Sequence, residues 1–178
     1  MSVTTSATAA AAADPQAEAA ALAALAESPD GVVEAIARKA GVSPRTILDL
    51  LPAGAAVAAP AEAFSAIWEA MTGWGEVLFI VHTEDIVLEC VGTLPAGSHG
   101  HGYFNIHGDS PIGGHIKAAN CAAIYFVDRM FHGRRSLSVQ FVNGAGEAMF
   151  KVFVRRDASR ELIAEQADQF EALRGRYR

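Results

Sequence analysis

The sequence predicts an α+β fold in which helices flank part of a large antiparallel β-sheet of about seven strands. Apolar residues recur at helical spacing near both ends of the chain, whereas the middle holds short runs of β-branched and apolar residues. Short polar or glycine-containing links separate those runs, which is typical of strands joined in antiparallel fashion. The order of helices, then strands, then one C-terminal helix therefore favours helices packed over part of one sheet.

A length of 178 residues fits one domain, which we assign to residues 28–178. Residues 1–27 are expected to form an alanine-rich tail outside it, disordered or weakly helical. Thirteen of the first 26 residues are alanine, which favours helix but buries little apolar area. Only Leu22 and Leu25 offer a weak contact to the body of the protein.

Residues 31–51 predict two short helices, because Gly41 is a typical C-cap and Ser43-Pro44 is a typical helix start. The same outline occurs in DNA-binding helix-turn-helix motifs. However, the second helix carries a single cation, Arg45, and the whole chain has a net charge of -6. Binding to DNA depends on neutralising phosphates. The pattern therefore favours a structural helical hairpin over a DNA-binding one.

The remaining elements follow from the change in period along the chain. A helix is predicted at residues 61–72, where the aromatic residues are expected to be core, and the last helix at about 159–174 with Asp157 as its N-cap. Between these two helices, strands are predicted at residues 76–82, 86–91, 102–107, 113–118, 121–129, 135–142 and 147–155.

Composition limits the classes of function. Two cysteines make no disulfide framework, which fits a reducing compartment. No apolar run approaches the roughly 20 residues that span a bilayer, and no secretory signal pattern is present. We therefore expect a cytoplasmic protein that binds neither membrane nor nucleic acid. Ten of the 14 cations lie at or after Arg129, so the acidic total conceals a basic C-terminal third.

The densest set of reactive side chains lies at residues 99–107, His-Gly-His-Gly-Tyr-Phe-Asn-Ile-His. In a strand, Tyr103 shares one face with Asn105 and His107, because side chains alternate between the two faces. On the next predicted strand, His115 shares a face with Lys117. Two adjacent strands would then present a phenol and an imidazole on one side of the sheet.

The residues alone leave four interpretations open. The histidines are ordinary hydrogen-bonded side chains, or His99 and His101 bind a divalent metal from one face of a strand. Acid–base or nucleophilic catalysis is a third, although no Ser–His–acid or paired-carboxylate motif appears. The fourth is a tetrapyrrole site, because haem iron accepts tyrosine or histidine. Its candidate iron ligands are Tyr103, His115 and His82, and its candidate partners for the haem carboxylates are Lys117, Arg134 and Arg135.

Four motifs in a fixed order carry a family resemblance over residues 28–174. They are Gly-Tyr-Phe-Asn-Ile-His-Gly (102–108), Pro-Ile-Gly-Gly-His-Ile-Lys-Ala (111–118), Asn-Cys-Ala-Ala-Ile-Tyr-Phe-Val-Asp-Arg (120–129) and Gly-Glu-Ala-Met-Phe-Lys-Val-Phe-Val (146–154). Together they resemble the HutX/ChuX family of intracellular haem-utilisation carrier proteins.

The resemblance implies a cytoplasmic homodimer that carries haem and hands it to a haem-degrading enzyme, without itself catalysing a reaction. It implies that His82 and His115 are haem-site histidines and that Tyr103 is a possible axial ligand. It assigns no role to the other four histidines, which are His99, His101, His107 and His132. An enzyme that itself degrades haem or removes its iron is the alternative function.

Overall fold

The computed structural model describes residues 14–178, which form nine strands, five α-helices and three short 3-10 helices. The first 13 residues of the predicted tail lie outside the described residues. The strands are β1 (Ala56–Pro60), β2 (Glu76–His82), β3 (Val87–Thr93), β4 (Gly97–Gly100), β5 (Tyr103–Ile106), β6 (Gly114–Ile116), β7 (Cys121–Phe131), β8 (Arg134–Asn143) and β9 (Ala148–Phe153). The helices are α1 (Pro15–Glu27), α2 (Val33–Ala40), α3 (Pro44–Asp49), α4 (Phe64–Thr72) and α5 (Ala164–Arg174).

The strands form two antiparallel sheets, and the predicted α+β class with a large antiparallel sheet is confirmed. The large sheet has six strands in the order β1-β7-β8-β9-β2-β3, and the small sheet has the order β4-β5-β6. All seven predicted strands are present, with ends that shift by one or two residues. The two strands that the sequence did not predict, β1 and β4, are rich in alanine or glycine. Pairing with β7 and β5, rather than intrinsic propensity, makes them strands.

The first three helices pack together on one face of the large sheet, and the predicted structural hairpin of α2 and α3 is confirmed. Gly41 ends α2 with a left-handed φ of 68°, and the Ser43 hydroxyl accepts a hydrogen bond from the Thr46 amide at the start of α3. Helix α1 buries Leu25 in the same cluster, while Leu22 is exposed. The predicted boundary after residue 27 therefore divides a packed group of helices.

The opposite face of the large sheet carries the main core, which lies under α4, α5 and the small sheet. The aromatic residues predicted at 61–72 are core residues, and Trp68 is only 1% exposed. Helix α5 begins later than predicted, and the prediction that Asp157 is its N-cap is wrong. The Asp157 carboxylate instead accepts hydrogen bonds from the amides of Ser159 and Glu161, which closes a turn before the helix. Among the described residues, no helix is long and apolar enough to cross a membrane.

One polar contact between the helical hairpin and the sheet, from the buried Tyr125 to the exposed Asp49, generates a prediction about alkaline stability. The Tyr125 hydroxyl donates to Asp49 Oδ1 at 2.6 Å. Burial, and secondarily the neighbouring Asp49 carboxylate, raise the pKa of Tyr125 to about 12. Because the unfolded chain loses this proton near pH 10, the stabilising contribution is complete below that pH and is lost as the pH rises towards 12.

Replacing Tyr125 should remove this pH dependence. Below pH 10 we expect Tyr125→Phe to cost about 1 kcal/mol, because the mutation removes the hydrogen bond while the exposed Asp49 carboxylate is hydrated by water instead. The difference in free energy of unfolding between wild type and variant should then shrink between about pH 10 and 12. Urea unfolding across this range measures it, with Tyr103→Phe as the control at an exposed tyrosine. A difference that stays constant with pH would contradict the assignment.

Candidate ligand-binding site

Strands β5 and β6 form the pair that positions the predicted site residues. Phe104 and Ile106 point into the core and are 3% and 2% exposed. Because side chains alternate along a strand, this burial turns Tyr103 and Asn105 towards the other face. Asn105 lies directly opposite His115 in the register of the two strands. The predicted division of this strand into a core face and a polar face is therefore confirmed.

Five side chains gather on the polar face and form what we call the Tyr103 cluster: Tyr103, Asn105, His107, His115 and Lys117. The ring centroids of Tyr103 and His115 are 5.9 Å apart, and those of His107 and His115 are 5.6 Å apart. The Lys117 ammonium nitrogen lies 5.8 Å from the centroid of the Tyr103 ring. With 37% of Tyr103 exposed, a phenol, two imidazoles and a cation are accessible at one place.

The predicted site set omits two members of this cluster, His107 and Asn105, of which Asn105 joins the strands. Its side-chain oxygen lies 2.7 Å from His115 Nδ1, and its side-chain nitrogen donates to backbone oxygens of β4. The strand alternation already placed this amide on the same face as Tyr103. The sequence therefore indicated the position of Asn105, but it was not predicted as a site residue because an amide side chain is not a usual ligand of haem iron.

His82 lies elsewhere, on the large sheet, in a cleft of about 500 Å³. The cleft lies beside α2, on the face of the large sheet that carries α1, α2 and α3. Its apolar lining includes Leu78, Ile80, Val87, Val91 and Phe153. A volume of this size is within the range of small-molecule sites. The structure thus places the three predicted iron ligands at two positions, with Tyr103 and His115 on the small sheet and His82 in the cleft.

A buried charged group borders His82. Its Nδ1 is 3.4 Å from a carboxylate oxygen of Glu34, which projects from α2, and the other oxygen of Glu34 contacts the Lys151 ammonium group. Lys151 and Glu34 are both buried. Buried charges require partners because desolvation disfavours isolated ions. The cleft therefore has an apolar wall and a charged floor that is already paired.

The two predicted arginines lie in a third place, at the start of β8. Arg135 donates two hydrogen bonds to the Asp128 carboxylate, at 2.9 and 2.8 Å, and one to Glu171 at 3.0 Å. The same contact lowers the pKa of Asp128 and raises that of Arg135. Arg134 is within 3.4 Å of the Arg160 carbonyl oxygen. Both line a surface groove of about 710 Å³ beside α5 rather than the Tyr103 cluster.

The two histidines considered for a metal site, His99 and His101, lie in different surroundings. His99 Nε2 is 2.8 Å from the Ser65 hydroxyl, and its ring packs against the edge of Phe104. His101 occupies the turn between β4 and β5 with a φ of 52°. Within residues 14–178, no group of three or more histidine, cysteine, aspartate or glutamate side chains is arranged to hold a metal ion.

A family model and a related protein of known name both match this chain over most of its length. Residues 57–173 match the family model described as "Haem utilisation ChuX/HutX". The chain is 30% identical over 155 residues to the "Intracellular heme transport protein HutX" of Vibrio cholerae, an alignment that covers 86% of this chain and 80% of that protein.

Solved structures of relatives have the same architecture. A protein from Agrobacterium tumefaciens is 65% identical, with a TM-score of 0.85 over 91% of this chain and 92% of that one. A structure described as "Structure of the Heme Binding Protein ChuX" is 36% identical, with a TM-score of 0.80 over 88% of this chain and 97% of that one.

Proposed function

Because this chain belongs to the ChuX/HutX haem-utilisation family, we propose that it binds haem inside the cell and carries it to a haem-degrading enzyme. The observation that carries the proposal is the Tyr103 cluster, in which an accessible phenol and imidazole lie side by side on paired strands. The description of the Vibrio cholerae relative as an intracellular heme transport protein supports the same function.

The chemistry of the Tyr103 cluster suits haem. Phenolate oxygen and imidazole nitrogen are both ligands of haem iron. Lys117 supplies a cation beside Tyr103, where it is able to meet a haem carboxylate. Neither Tyr103 nor His115 is covered by the protein, so a flat macrocycle has access to both. We propose Tyr103 or His115 as the axial ligand and Lys117 as a partner for a propionate.

The cleft that contains His82 is a second candidate haem surface, separate from the Tyr103 cluster, because it lies on the face of the large sheet opposite the small sheet. Its walls are formed by aliphatic and aromatic side chains of β2, β3 and β9, which suit the apolar surface of a porphyrin. The imidazole lies at the end of β2, where its contact with the Glu34 carboxylate orients the ring. We therefore retain His82 as a proposed haem-site residue.

We further propose that the protein is a homodimer in which a second copy covers the outer edge of the large sheet. Within residues 14–178, strand β3 is an edge strand that pairs with β2 alone. Exposed edges are normally protected by charge or by covering segments, because they pair readily with other chains. Here the edge presents Ile86, Val87, Leu88 and Val91, all largely exposed. A copy of the same chain would bury this apolar surface.

Haem titration of the purified protein tests the binding site. Wild type should give a shifted Soret band at near-stoichiometric haem, and Tyr103→Phe and His115→Ala should change the band and weaken binding by about 10-fold or more. His99→Ala is the matched control, because His99 lies on the adjacent strand with Ser65 as its partner. If Tyr103→Phe, His115→Ala and His82→Ala all leave spectrum and affinity unchanged, the proposed residues are wrong. A wild type without a specific band contradicts haem binding itself.

The fate of the porphyrin separates a carrier from an enzyme. Incubated with a reductant, oxygen and catalase, the haem complex of a carrier should keep an intact porphyrin absorption spectrum. Adding a haem-degrading enzyme should then transfer the haem and convert it. Loss of the Soret band before that addition, with formation of a linear tetrapyrrole or iron-free porphyrin, would instead establish the alternative function.

Sedimentation velocity tests the dimer. Wild type should sediment as a dimer at micromolar concentration, and Leu88→Lys should shift it towards monomer, because an ammonium group would be buried in the interface. Leu22→Lys is the matched control, since Leu22 is similarly exposed but lies on α1. A monomeric wild type, or identical behaviour of the two variants, would contradict an interface at β3.

A further inference from the structure

The side chain of Asn105 links all three strands of the small sheet. It projects from β5, its nitrogen lies 3.3 Å from the Ser98 carbonyl oxygen and 3.1 Å from that of Gly100 on β4, and its oxygen lies 2.7 Å from His115 Nδ1 on β6. Each of these contacts has a defined chemical direction, and together they determine where the proton of His115 resides.

The orientation of the amide follows from its partners on β4. A backbone carbonyl oxygen only accepts hydrogen bonds, so the group that faces Ser98 and Gly100 has to be the NH2 of Asn105. The oxygen of the same amide is thereby turned towards His115. Because an amide oxygen also only accepts, the hydrogen bond exists only if His115 Nδ1 carries the proton.

A neutral imidazole with its proton on Nδ1 has its lone pair on Nε2. In the described part of the chain, the hydrogen bond of the His115 ring is made through Nδ1 to Asn105. The rings of Tyr103 and His107 flank it at centroid distances of 5.9 and 5.6 Å, and His115 itself is exposed. Nε2, which carries the lone pair, is therefore the atom through which His115 would bind an incoming metal.

We propose that Asn105 is a positioning residue that fixes His115 as the Nδ1–H tautomer and so directs Nε2 towards the iron of haem. This inference rests on the proposed function for its ligand, but the tautomer is a property of the protein without haem. Partners of this type behind a metal-binding histidine usually set both its orientation and its basicity, and their loss weakens metal binding by about 10–100-fold.

The first test measures the tautomer in the haem-free protein. Two-bond ¹⁵N–¹H correlation spectra at about pH 8.5, above the ordinary titration range of histidine, should show His115 as the Nδ1–H form. Asn105→Leu should convert it to a mixture or to the Nε2–H form, whereas Asn105→Asp, which keeps an acceptor for Nδ1, should retain Nδ1–H. Ser65→Ala, which removes the hydroxyl beside His99, is the matched control and should leave the His115 signals unchanged.

The second test asks whether Asn105 acts through His115. Asn105→Leu should weaken haem binding by about 10-fold or more in the wild-type background and should have no further effect in the His115→Ala background. Circular dichroism and thermal unfolding confirm that each variant is folded. Should Asn105→Leu fail to fold, the wild-type spectrum and Asn105→Asp still decide the tautomer.

Three results would overturn the inference: a wild-type His115 in the Nε2–H form, an Asn105→Leu variant that keeps Nδ1–H, or equal losses of haem affinity in both backgrounds. The last result would assign Asn105 a purely structural role in joining β4 to β5. A wild type that binds no haem would overturn the proposed function instead, and the tautomer would still be decided by the spectra of the haem-free protein.

Discussion

A buried aromatic cluster centred on Phe104 holds the small sheet to the rest of the protein. Phe104 meets Phe64 and Trp68 edge-on, with ring centroids 5.2 and 5.6 Å apart, and Phe64 in turn packs against Phe141 and Phe150 of the large sheet. The Trp68 indole also donates to the Pro95 carbonyl oxygen just before β4. Three strands this short are marginal alone. The geometry of the Tyr103 cluster on their other face therefore depends on this packing.

Charge pairing decides which cations remain available to a ligand. The basic C-terminal third suggested by the sequence is largely engaged in contacts within the protein: Arg135 with Asp128 and Glu171, Arg155 with Glu76, and Lys151 with Glu34. An anionic ligand that recruited these side chains would have to break existing pairs. Lys117 instead contacts the ring of Tyr103, so its charge is available at the proposed site.

The alternation of side chains along single strands predicted the Tyr103 cluster well, but it did not predict where residues on other elements lie relative to that cluster. The sequence placed Tyr103 and His115 on one face because each strand alternates and the two strands are neighbours along the chain. The positions of His82, Arg134 and Arg135 depend on how the two sheets and α5 pack, which a local pattern does not contain. Strand β4 was missed for a related reason, because Gly-Ser-His-Gly has little strand propensity and is ordered by pairing with β5.

The openness of the Tyr103 cluster bears on the difference between carrying haem and degrading it. Enzymes that perform chemistry on a reactive ligand usually enclose it, because excluding water strengthens electrostatic interactions and prevents side reactions. Here the phenol lies on an accessible sheet face, and the neighbouring imidazole is held by a neutral amide rather than by a buried charge. Such a site is hydrogen-bonded on the protein side and accessible on the ligand side. For the proposed carrier function, this accessibility would let a receiving protein reach the haem directly, which suits transfer better than catalysis.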